Sequence, residues 1–169
     1  MKIYKNFINS GVDITCSSDV DLDSLVPKAK QKLLEWYKAC IAAKLRIIIT
    51  QGFRSIEYQN GVYAQGRTKP GKIVTVCKGG QSPHNYGFAW DFAPLEPNGT
   101  INWSTFLNPK WKQAATIAKN LKLDAGAFWK IPGFGSDTAH IELMGGSNCA
   151  NMIYKSQMKL QDAINKLSI

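Results

Sequence analysis

Hydrophobic residues recur with helical spacing in the first third of the chain. Between residues 25 and 45 they fall near one stripe of a helix, and most lysines lie elsewhere on its surface. The stripe consists of Leu25, Leu33, Leu34, Tyr37, Ile41 and Leu45. Ser24 is placed to cap this helix, and Pro27 suits its first turn. The pattern predicts an amphipathic helix with one face on a core.

Short runs of branched apolar residues predict strands between further helices. Residues 46–50 predict a buried strand, and residues 73–76 have the composition of another strand. Ser55 is expected to cap a second helix that reaches about Gln65. Two more helices are predicted at about residues 109–121, with Asn108 as the cap, and at about residues 147–167.

Two segments alternate in a way that separates a core face from a polar face. If residues 87–92 form a strand, Phe88, Trp90 and Phe92 share the core face, and Asp91 points the other way. Gly87 offers the bend that brings His84 back over Asp91. In the second segment, the apolar face consists of Ala139, Ile141 and Leu143. The polar face consists of His140, Glu142 and Met144.

Length and charge narrow the class of protein. A chain of 169 residues fits one domain, and we treat residues 1–169 as such. The net charge of +9 favours polyanionic surroundings such as nucleic acid, anionic lipid or a wall with teichoic acid. The basic residues are scattered without a recognised binding motif, so nucleic acid is the weakest of these. No run approaches the roughly 20 apolar residues of a membrane span.

The four cysteines point to reduced thiols. They are Cys16, Cys40, Cys77 and Cys149, and no two form a Cys-x-x-Cys pair. Structural zinc sites and redox motifs need closely spaced sulfurs, so both interpretations are weak here. The first residues do not resemble a secretory signal, and we expect synthesis in a cytoplasm, with the thiols mostly in the core.

Both histidines of the chain lie in segments that suit a catalytic zinc site. The first is Ser82-Pro83-His84-Asn85-Tyr86-Gly87-Phe88-Ala89-Trp90-Asp91, and the second is Asp137-Thr138-Ala139-His140-Ile141-Glu142. His84, Asp91 and His140 would give zinc three ligands and leave one position open for water. Asp137 is close enough in sequence to His140 to take a proton from that water. The pattern therefore indicates a metallohydrolase.

Other polar residues near these segments have more than one interpretation. Glu142 is the rival base, although a role in orienting a ligand or balancing charge is favoured. Arg54 follows a strand end, where it would stabilise an oxyanion or hold a carboxylate, or would simply pair with an acid. Ser82 either caps a turn or contacts substrate. Gln59 and Tyr63 are interpreted as helix packing.

Three segments together resemble a known family. They are Thr50-Gln51-Gly52-Phe53-Arg54-Ser55, Tyr63-Ala64-Gln65-Gly66-Arg67-Thr68-Lys69-Pro70-Gly71-Lys72 and Gly80-Gln81-Ser82-Pro83-His84-Asn85-Tyr86-Gly87. They are similar to the L-alanyl-D-glutamate peptidases of phage endolysins and bacterial cell-wall hydrolases. That group belongs with the D-alanyl-D-alanine carboxypeptidases and shares its zinc fold with Hedgehog domains. The similarity runs from about residue 25 to residue 143.

The resemblance implies a fold and a set of roles. The fold would be α+β, with a small, mostly antiparallel sheet carrying the zinc and helices packed around it. His84, Asp91 and His140 would be the zinc ligands, Asp137 the base, and Arg54 an electrophilic or anchoring group. The family often has a Trp-Gly-Gly-Asp-Trp-like stretch and Asp-x-Pro-His-Phe, where this chain has residues 125–129 and 137–141. The substrate pocket is therefore less well defined than the metal site.

These observations lead to one functional expectation and two rivals. We expect a monomeric, zinc-dependent endolysin that cleaves the L-alanyl-D-glutamate bond of bacterial peptidoglycan. Its positive charge would attract it to anionic wall polymers, and lysis or a holin would release it from the host cytoplasm. The rivals are a D-alanyl-D-alanine carboxypeptidase with the same zinc site and a non-catalytic, zinc-stabilised wall-binding module.

Overall fold

The computed structural model describes residues 1–104 and 108–167. Within these ranges, six strands form one mixed sheet and five α-helices surround it. The strands are β1 (Lys2–Tyr4), β2 (Ile14–Cys16), β3 (Ile47–Gln51), β4 (Ala89–Pro94), β5 (Leu123–Ala125) and β6 (His140–Leu143). The helices are α1 (Pro27–Ala42), α2 (Ile56–Ala64), α3 (Pro109–Asn120), α4 (Gly146–Ser156) and α5 (Leu160–Leu167).

The sheet has the order β1-β2-β3-β4-β6-β5 and is antiparallel except between β2 and β3. The expected α+β fold with a mostly antiparallel sheet is therefore confirmed. Every helix in the described part of the chain is too short or too polar to cross a membrane.

Aromatic residues form the core on one face of the sheet. Trp90 and Phe92 on β4 are fully buried against Trp36 of α1, with ring centroids 6.1 and 5.0 Å from it. The Trp36 indole also donates a hydrogen bond to the C=O of Ala114 in α3, at 3.0 Å. Burying each of these large side chains stabilises the fold by roughly 1.5–3 kcal/mol. Because side chains alternate along a strand, this packing directs Asp91 to the opposite face.

Three local expectations need correction. Ser24 does not cap α1: Val26 occupies the position before Pro27, and no side chain caps the helix. The N–H of Ser24 instead bonds the Asp21 carboxylate at 3.1 Å, which makes a turn. The predicted C-terminal helix is two helices, because Gln157 between them has a left-handed φ of 50°.

The third correction concerns residues 73–76, which form no strand. This segment lies between α2 and the turn that carries His84, and its branched side chains remain exposed at Ile73, Val74 and Val76. The composition that favours a strand is present, but in the described part of the chain no neighbouring strand pairs with it.

Candidate active site

The two predicted metal segments meet on the polar face of the sheet. Strands β4 and β6 pair antiparallel, with Asp91 directly opposite His140. His84 lies in a 3₁₀ turn, Pro83–Tyr86, immediately before β4. Gly87 ends this turn with φ 72°, and a Cβ there would approach the C=O of Ser24 to 2.5 Å. Only glycine fits this reversal, which folds His84 back over the sheet.

Hydrogen bonds fix the turn that carries His84. The Ser82 hydroxyl accepts from the N–H of His84 at 3.3 Å, and the Asn85 side chain accepts from the N–H of Ser82 at 3.3 Å. Asn85 Nδ2 donates to the C=O of Arg54 at 2.9 Å. Of its two interpretations, Ser82 thus adopts that of a turn cap.

His84, Asp91 and His140 present three ligand atoms in a nearly equilateral triangle. His84 Nε2 is 3.1 Å from His140 Nδ1, and each nitrogen is 3.2 Å from Asp91 Oδ1. A tetrahedral zinc ion with bonds of about 2.0–2.1 Å places its ligand atoms about 3.3 Å apart. The dimensions of this triangle therefore fit zinc.

The outer nitrogens of both imidazoles are already engaged. His84 Nδ1 lies 2.7 Å from the C=O of Gly52, and His140 Nε2 lies 3.0 Å from Glu142 Oε2. Because each outer nitrogen donates its hydrogen, the inner nitrogens of neutral rings present lone pairs. Two lone pairs and a carboxylate oxygen then converge, and a positive charge is needed between them. A proton on His140 or a bound metal ion supplies that charge.

The pKa values of the cluster reflect this attraction for positive charge. Burial would lower the pKa of His140, but hydrogen bonds to Asp91 and Glu142 raise it to about 10. Burial would raise the pKa of Asp91, yet His84 and Arg54 hold it well below its ordinary value. Burial lowers the pKa of His84. The site thus combines a carboxylate that stays ionised, a neutral His84, and a His140 whose proton a bound metal ion would displace.

Asp137 stands beside this cluster in a fixed main-chain position. Its N–H donates to the C=O of Gly126 at 3.0 Å, and its C=O accepts from the N–H of His140 at 3.0 Å. Burial, followed by the negative charge of Asp91, raises the pKa of Asp137 to about 6. A carboxyl group with this pKa can accept and release a proton near neutral pH.

Arg54 is held by three oxygen atoms within the site. It forms an ion pair with Asp91 Oδ2, and its Nε and Nη1 donate to Gln51 Oε1 at 3.1 Å and Gln59 Oε1 at 3.3 Å. The side chain is only 12% exposed. Asp91 therefore offers one oxygen to Arg54 and the other to the triangle.

Sequence reasoning missed two residues at the site. Gln59 was interpreted as helix packing, but its buried side chain bonds Arg54 and also donates to the C=O of Cys77 at 2.9 Å. Trp129 lies with its ring centroid 5.1 Å from that of His140, and its indole donates to Asp124 at 2.7 Å. Gln59 is not linked to the metal motif by sequence spacing and approaches it only through the fold. Trp129 ends the stretch 125–129 that stands where the related family has Trp-Gly-Gly-Asp-Trp, which was the available signal.

All the predicted site residues line one cleft. Its lining includes Arg54, His84, Asp91, Asp137, His140 and Glu142, with apolar residues of two loops on either side. Glu142 is fully buried and bonds His140 and Ser147. Its carboxylate therefore holds the imidazole of His140 in place.

A comparison with models of protein families identifies the family of this chain. The model of the VanY family, described as D-alanyl-D-alanine carboxypeptidase, matches residues 22–134, which is more than half of the sequence. The chain belongs to the VanY family. The matched range contains Arg54, His84 and Asp91 and ends before Asp137 and His140.

A curated relative shows what this VanY-family chain is similar to in sequence. The peptidoglycan L-alanyl-D-glutamate endopeptidase CwlK of Bacillus subtilis (strain 168) is 40% identical over 114 residues. The alignment covers 63% of this chain and 66% of the relative, slightly less than two thirds of its length.

Solved structures share the VanY-family fold. The Serratia marcescens L-Ala D-Glu endopeptidase ChiX has a TM-score of 0.54 at 15% identity, with coverage of 77% of this chain and 90% of that one. The vancomycin-resistance D,D-pentapeptidase VanY, solved in complex with Zn(II), has a TM-score of 0.53 at 15% identity, with coverage of 97% and 89%. At 15% sequence identity, the structural similarity to these two proteins establishes the fold alone.

Proposed function

We propose that this protein is a zinc peptidase that hydrolyses the L-alanyl-D-glutamate bond of peptidoglycan stem peptides. The observation that carries the proposal is the triangle of His84 Nε2, Asp91 Oδ1 and His140 Nδ1, with sides of 3.1–3.2 Å, at the base of an open cleft. The choice of bond is supported by the 40% identity to an endopeptidase of that specificity.

The three ligand atoms would hold the zinc. When bound, zinc acts as a Lewis acid that polarises the scissile carbonyl and lowers the pKa of water to about 7. Gly52 and Glu142 keep the two imidazoles in the tautomers that direct a lone pair inward. The ion pair between Arg54 and Asp91 leaves Asp91 Oδ1 free for this role.

Asp137 would move the proton. As a carboxylate it accepts a proton from the attacking water, and as a carboxylic acid it then delivers that proton to the leaving amine of D-glutamate. Burial is the main cause that raises the pKa of Asp137 to about 6 in the metal-free site, and burial would persist with zinc bound, although zinc would offset the contribution of the Asp91 charge. Proton transfer of this kind contributes typically about 10²–10⁴-fold to the rate.

The role of Arg54 would be mainly positional. Its guanidinium is fixed by Asp91, Gln51 and Gln59, which take three of its five N–H donors and leave two for the expected part in opposing an oxyanion. Its positive charge lines the cleft, where charge on a tetrahedral intermediate would develop.

A second candidate is D-alanyl-D-alanine carboxypeptidase activity, which the description of the family model favours. The two activities leave different products on the same substrate. Purified sacculi, incubated with zinc-loaded protein, are expected to yield stem peptides with new D-glutamate amino termini by mass spectrometry. Free D-alanine would instead identify the carboxypeptidase.

A chelator-treated sample is the control for this digestion. Addition of chelator is expected to stop the release of fragments, and addition of zinc to restore it. If zinc-loaded protein releases neither product, the enzymatic proposal is wrong, and a non-catalytic wall-binding module becomes the better description.

The biological role of the peptidase is a separate proposal. We infer a monomer with one catalytic domain that serves as a phage endolysin, and whose +9 charge attracts it to anionic wall polymers. Added protein should then clear a suspension of outer-membrane-permeabilised or Gram-positive cells, and wall binding should weaken at high salt. Sacculus hydrolysis without any clearing of cells would contradict the lytic role but not the peptidase activity.

A further inference from the structure

A turn rich in basic residues follows α2, and the proposed mechanism gives it no role. Residues 58–90 contain four lysine or arginine residues and neither aspartate nor glutamate. The four are Arg67, Lys69, Lys72 and Lys78, and all of them are exposed. A surface with charge of one sign attracts ligands of the opposite sign. This part of the chain is therefore suited to an anionic ligand.

The side chain of Arg67 is fixed in position by three contacts. Its Nη1 donates to the C=O of Tyr63 at 2.7 Å, and its Nη2 donates to the C=O of Thr75 at 3.0 Å. Its guanidinium carbon lies 3.8 Å from the centroid of the Tyr63 ring, and the face of an aromatic ring attracts a cation. Because the guanidinium is already fixed, it loses little conformational entropy when a ligand binds.

The positive charge of Arg67 has no acidic partner within residues 1–104 and 108–167. Both of its acceptors are neutral carbonyl groups, and no carboxylate in these ranges forms an ion pair with it. A guanidinium has five N–H donors, so three remain for a ligand. Lys78 Nζ lies 5.7 Å from the centroid of the Tyr63 ring and adds a second positive charge. Arg67 can therefore bind a carboxylate, whereas Arg54 is already paired with Asp91.

Arg67 lines a groove that begins at the metal cleft. A depression beside the cleft shares Val76 and Phe134 with it. Arg67 contributes the charge to this depression, whose other lining residues are Ile73, Val76, Pro132, Gly133, Phe134 and Ser136. Apolar walls keep water away and so strengthen the attraction between opposite charges. A ligand that extends from the three ligand atoms along this groove therefore meets Arg67.

The two sides of the proposed scissile bond differ in charge. On the acyl side, L-alanine is joined to muramic acid through an uncharged amide, or ends in a positive amine where the glycan has been removed. On the leaving side, D-glutamate continues through its γ-carboxyl group, so its α-carboxylate is free, and the terminal D-alanine carries another carboxylate. Negative charge therefore lies on the leaving side, and complementarity favours that side next to Arg67.

We propose that Arg67 binds a carboxylate of the leaving part of the stem peptide and thereby sets the direction in which the peptide crosses the metal site. This inference rests on the proposed peptidase function, because it states how the substrate of that site is held. The D-glutamate side lies in the groove, and the L-alanine side points away from Arg67. Arg67 is a specificity-determining residue, which touches the substrate but not the reacting bond.

The test compares peptides that differ in one charge. A synthetic tetrapeptide of L-alanine, D-glutamate, L-lysine and D-alanine, acetylated at its amino end, is amidated at one of its two carboxylates at a time. Binding to the zinc-loaded Asp137→Asn protein is measured by calorimetry, so that turnover does not interfere. We expect amidation of one of the two carboxylates to weaken binding about tenfold. With Arg67→Gln added, the same amidation should change the affinity less than about twofold.

This comparison separates recognition of charge from support of the turn. Arg67→Gln also removes hydrogen bonds to Tyr63 and Thr75, but a disturbed turn would weaken all the peptides alike. Arg46→Gln is the matched control. Arg46 is exposed and donates to the C=O groups of Glu96 and Pro97 at 3.3 and 2.9 Å, at the end of β3 remote from the ligand atoms. This variant should keep the tenfold preference.

Three results would overturn the proposal: an undiminished preference in Arg67→Gln, an equal loss of preference in Arg46→Gln, or no dependence of binding on either carboxylate. If Arg67→Gln does not fold by circular dichroism, Arg67→Lys replaces it. Lysine keeps the charge but lacks the planar fork, so the preference should fall to about threefold, and an unchanged preference overturns the proposal. If Arg67→Gln weakens adsorption to whole walls but leaves the peptide preference intact, an anionic wall polymer binds Arg67 instead, and the proposal is wrong.

The outcome is separable from that of the proposed function. Binding is measured without catalysis, and the bond that is cleaved is identified from sacculi digested by the unaltered protein. Release of free D-alanine together with a preference that depends on Arg67 would contradict only the proposed specificity. New D-glutamate termini together with a preference that does not depend on Arg67 would contradict only this inference.

Discussion

At the level of single residues, Asp91 is shared between two partners. Oδ1 faces both imidazoles at 3.2 Å, and Oδ2 pairs with Arg54. One carboxylate would therefore contribute a ligand atom, and the guanidinium fixes its orientation. A lysine in place of Arg54 would lack the planar fork that also reaches the side chains of Gln51 and Gln59.

Asp137→Asn tests the proposed base. The change keeps the size of the side chain but removes its ability to accept a proton, so we expect kcat to fall about 10²–10⁴-fold. Zinc content and the midpoint of thermal unfolding should remain close to those of the parent. His84→Ala is the contrasting variant, because it should lose both stoichiometric zinc and activity. Near-parental activity of Asp137→Asn would show that another group is the base.

Glu142→Gln tests the support of His140. The Glu142 carboxylate is fully buried and accepts from the N–H of Ser147 at 2.7 Å, the hydroxyl of Ser147 at 2.8 Å and His140 Nε2 at 3.0 Å. An amide has only one acceptor oxygen, so these contacts cannot all be kept. We expect zinc affinity, measured by competition with a chelating dye, to fall about 10–100-fold.

Glu57→Gln is the matched control for that experiment. Glu57 is exposed on α2, and the same change of charge there should leave zinc affinity unaltered. If Glu142→Gln binds zinc as tightly as the parent, the hydrogen bond from His140 does not tune the site, and the orienting role of Glu142 is wrong.

At the level of elements, the site depends on the pairing of β4 with β6 and on one sharp turn. The sequence predicted the two faces of both strands, because Phe88, Trp90 and Phe92 alternate with small or polar residues. It also predicted a bend at Gly87. Neither the register that places Asp91 opposite His140 nor the 3₁₀ form of the turn was predictable, since both depend on contacts distant in sequence.

Gly87→Ala tests the turn. Alanine would adopt φ 72° at a cost and would bring its Cβ to 2.5 Å from the C=O of Ser24. Left-handed backbone costs about 1–2 kcal/mol and overpacking about 1–3 kcal/mol, so we expect a loss of about 2–5 kcal/mol in the free energy of unfolding. His84 would move with the turn, and zinc binding should weaken as well.

Gly133→Ala separates the two costs. Gly133 has almost the same φ, 73°, but a Cβ there would meet nothing within 4 Å. Denaturant unfolding of this variant should therefore report only the backbone cost of about 1–2 kcal/mol, with zinc binding intact. Equal losses in the two variants would mean that the contact with Ser24 is not what requires glycine at position 87.

At the level of the whole molecule, the sequence predicted the residues of short motifs correctly. It was wrong where contacts between segments distant in the chain determine the structure. Asp91 and His140 face one cleft because the periodic patterns of their strands determine which way each side chain points, whereas His84 joins them through the turn that ends at Gly87. Residues 73–76 and Gln59 were misinterpreted for a common reason. Residues 73–76 have strand propensity but no strand beside them, and Gln59 occupies a helix position whose neighbour, Arg54, is supplied by a loop.

The metal site also affects the stability of the whole fold, because β3, β4, β6 and the turn of His84 meet there. Zinc that binds the folded protein and not the unfolded chain stabilises it by RT ln(1 + [L]/Kd), about 4 kcal/mol when free zinc exceeds Kd a thousandfold. In a domain of this size, each kcal/mol corresponds to about 2–4 °C in Tm. We therefore expect chelation to lower the Tm of the parent by roughly 8–16 °C.

The same chelator should leave the Tm of His84→Ala unchanged, since that variant has lost one of the three ligands. If scanning calorimetry gives the parent the same Tm with zinc as with chelator, the three converging ligand atoms do not bind the metal in the folded state. The proposed mechanism would then lack the zinc ion that polarises the carbonyl.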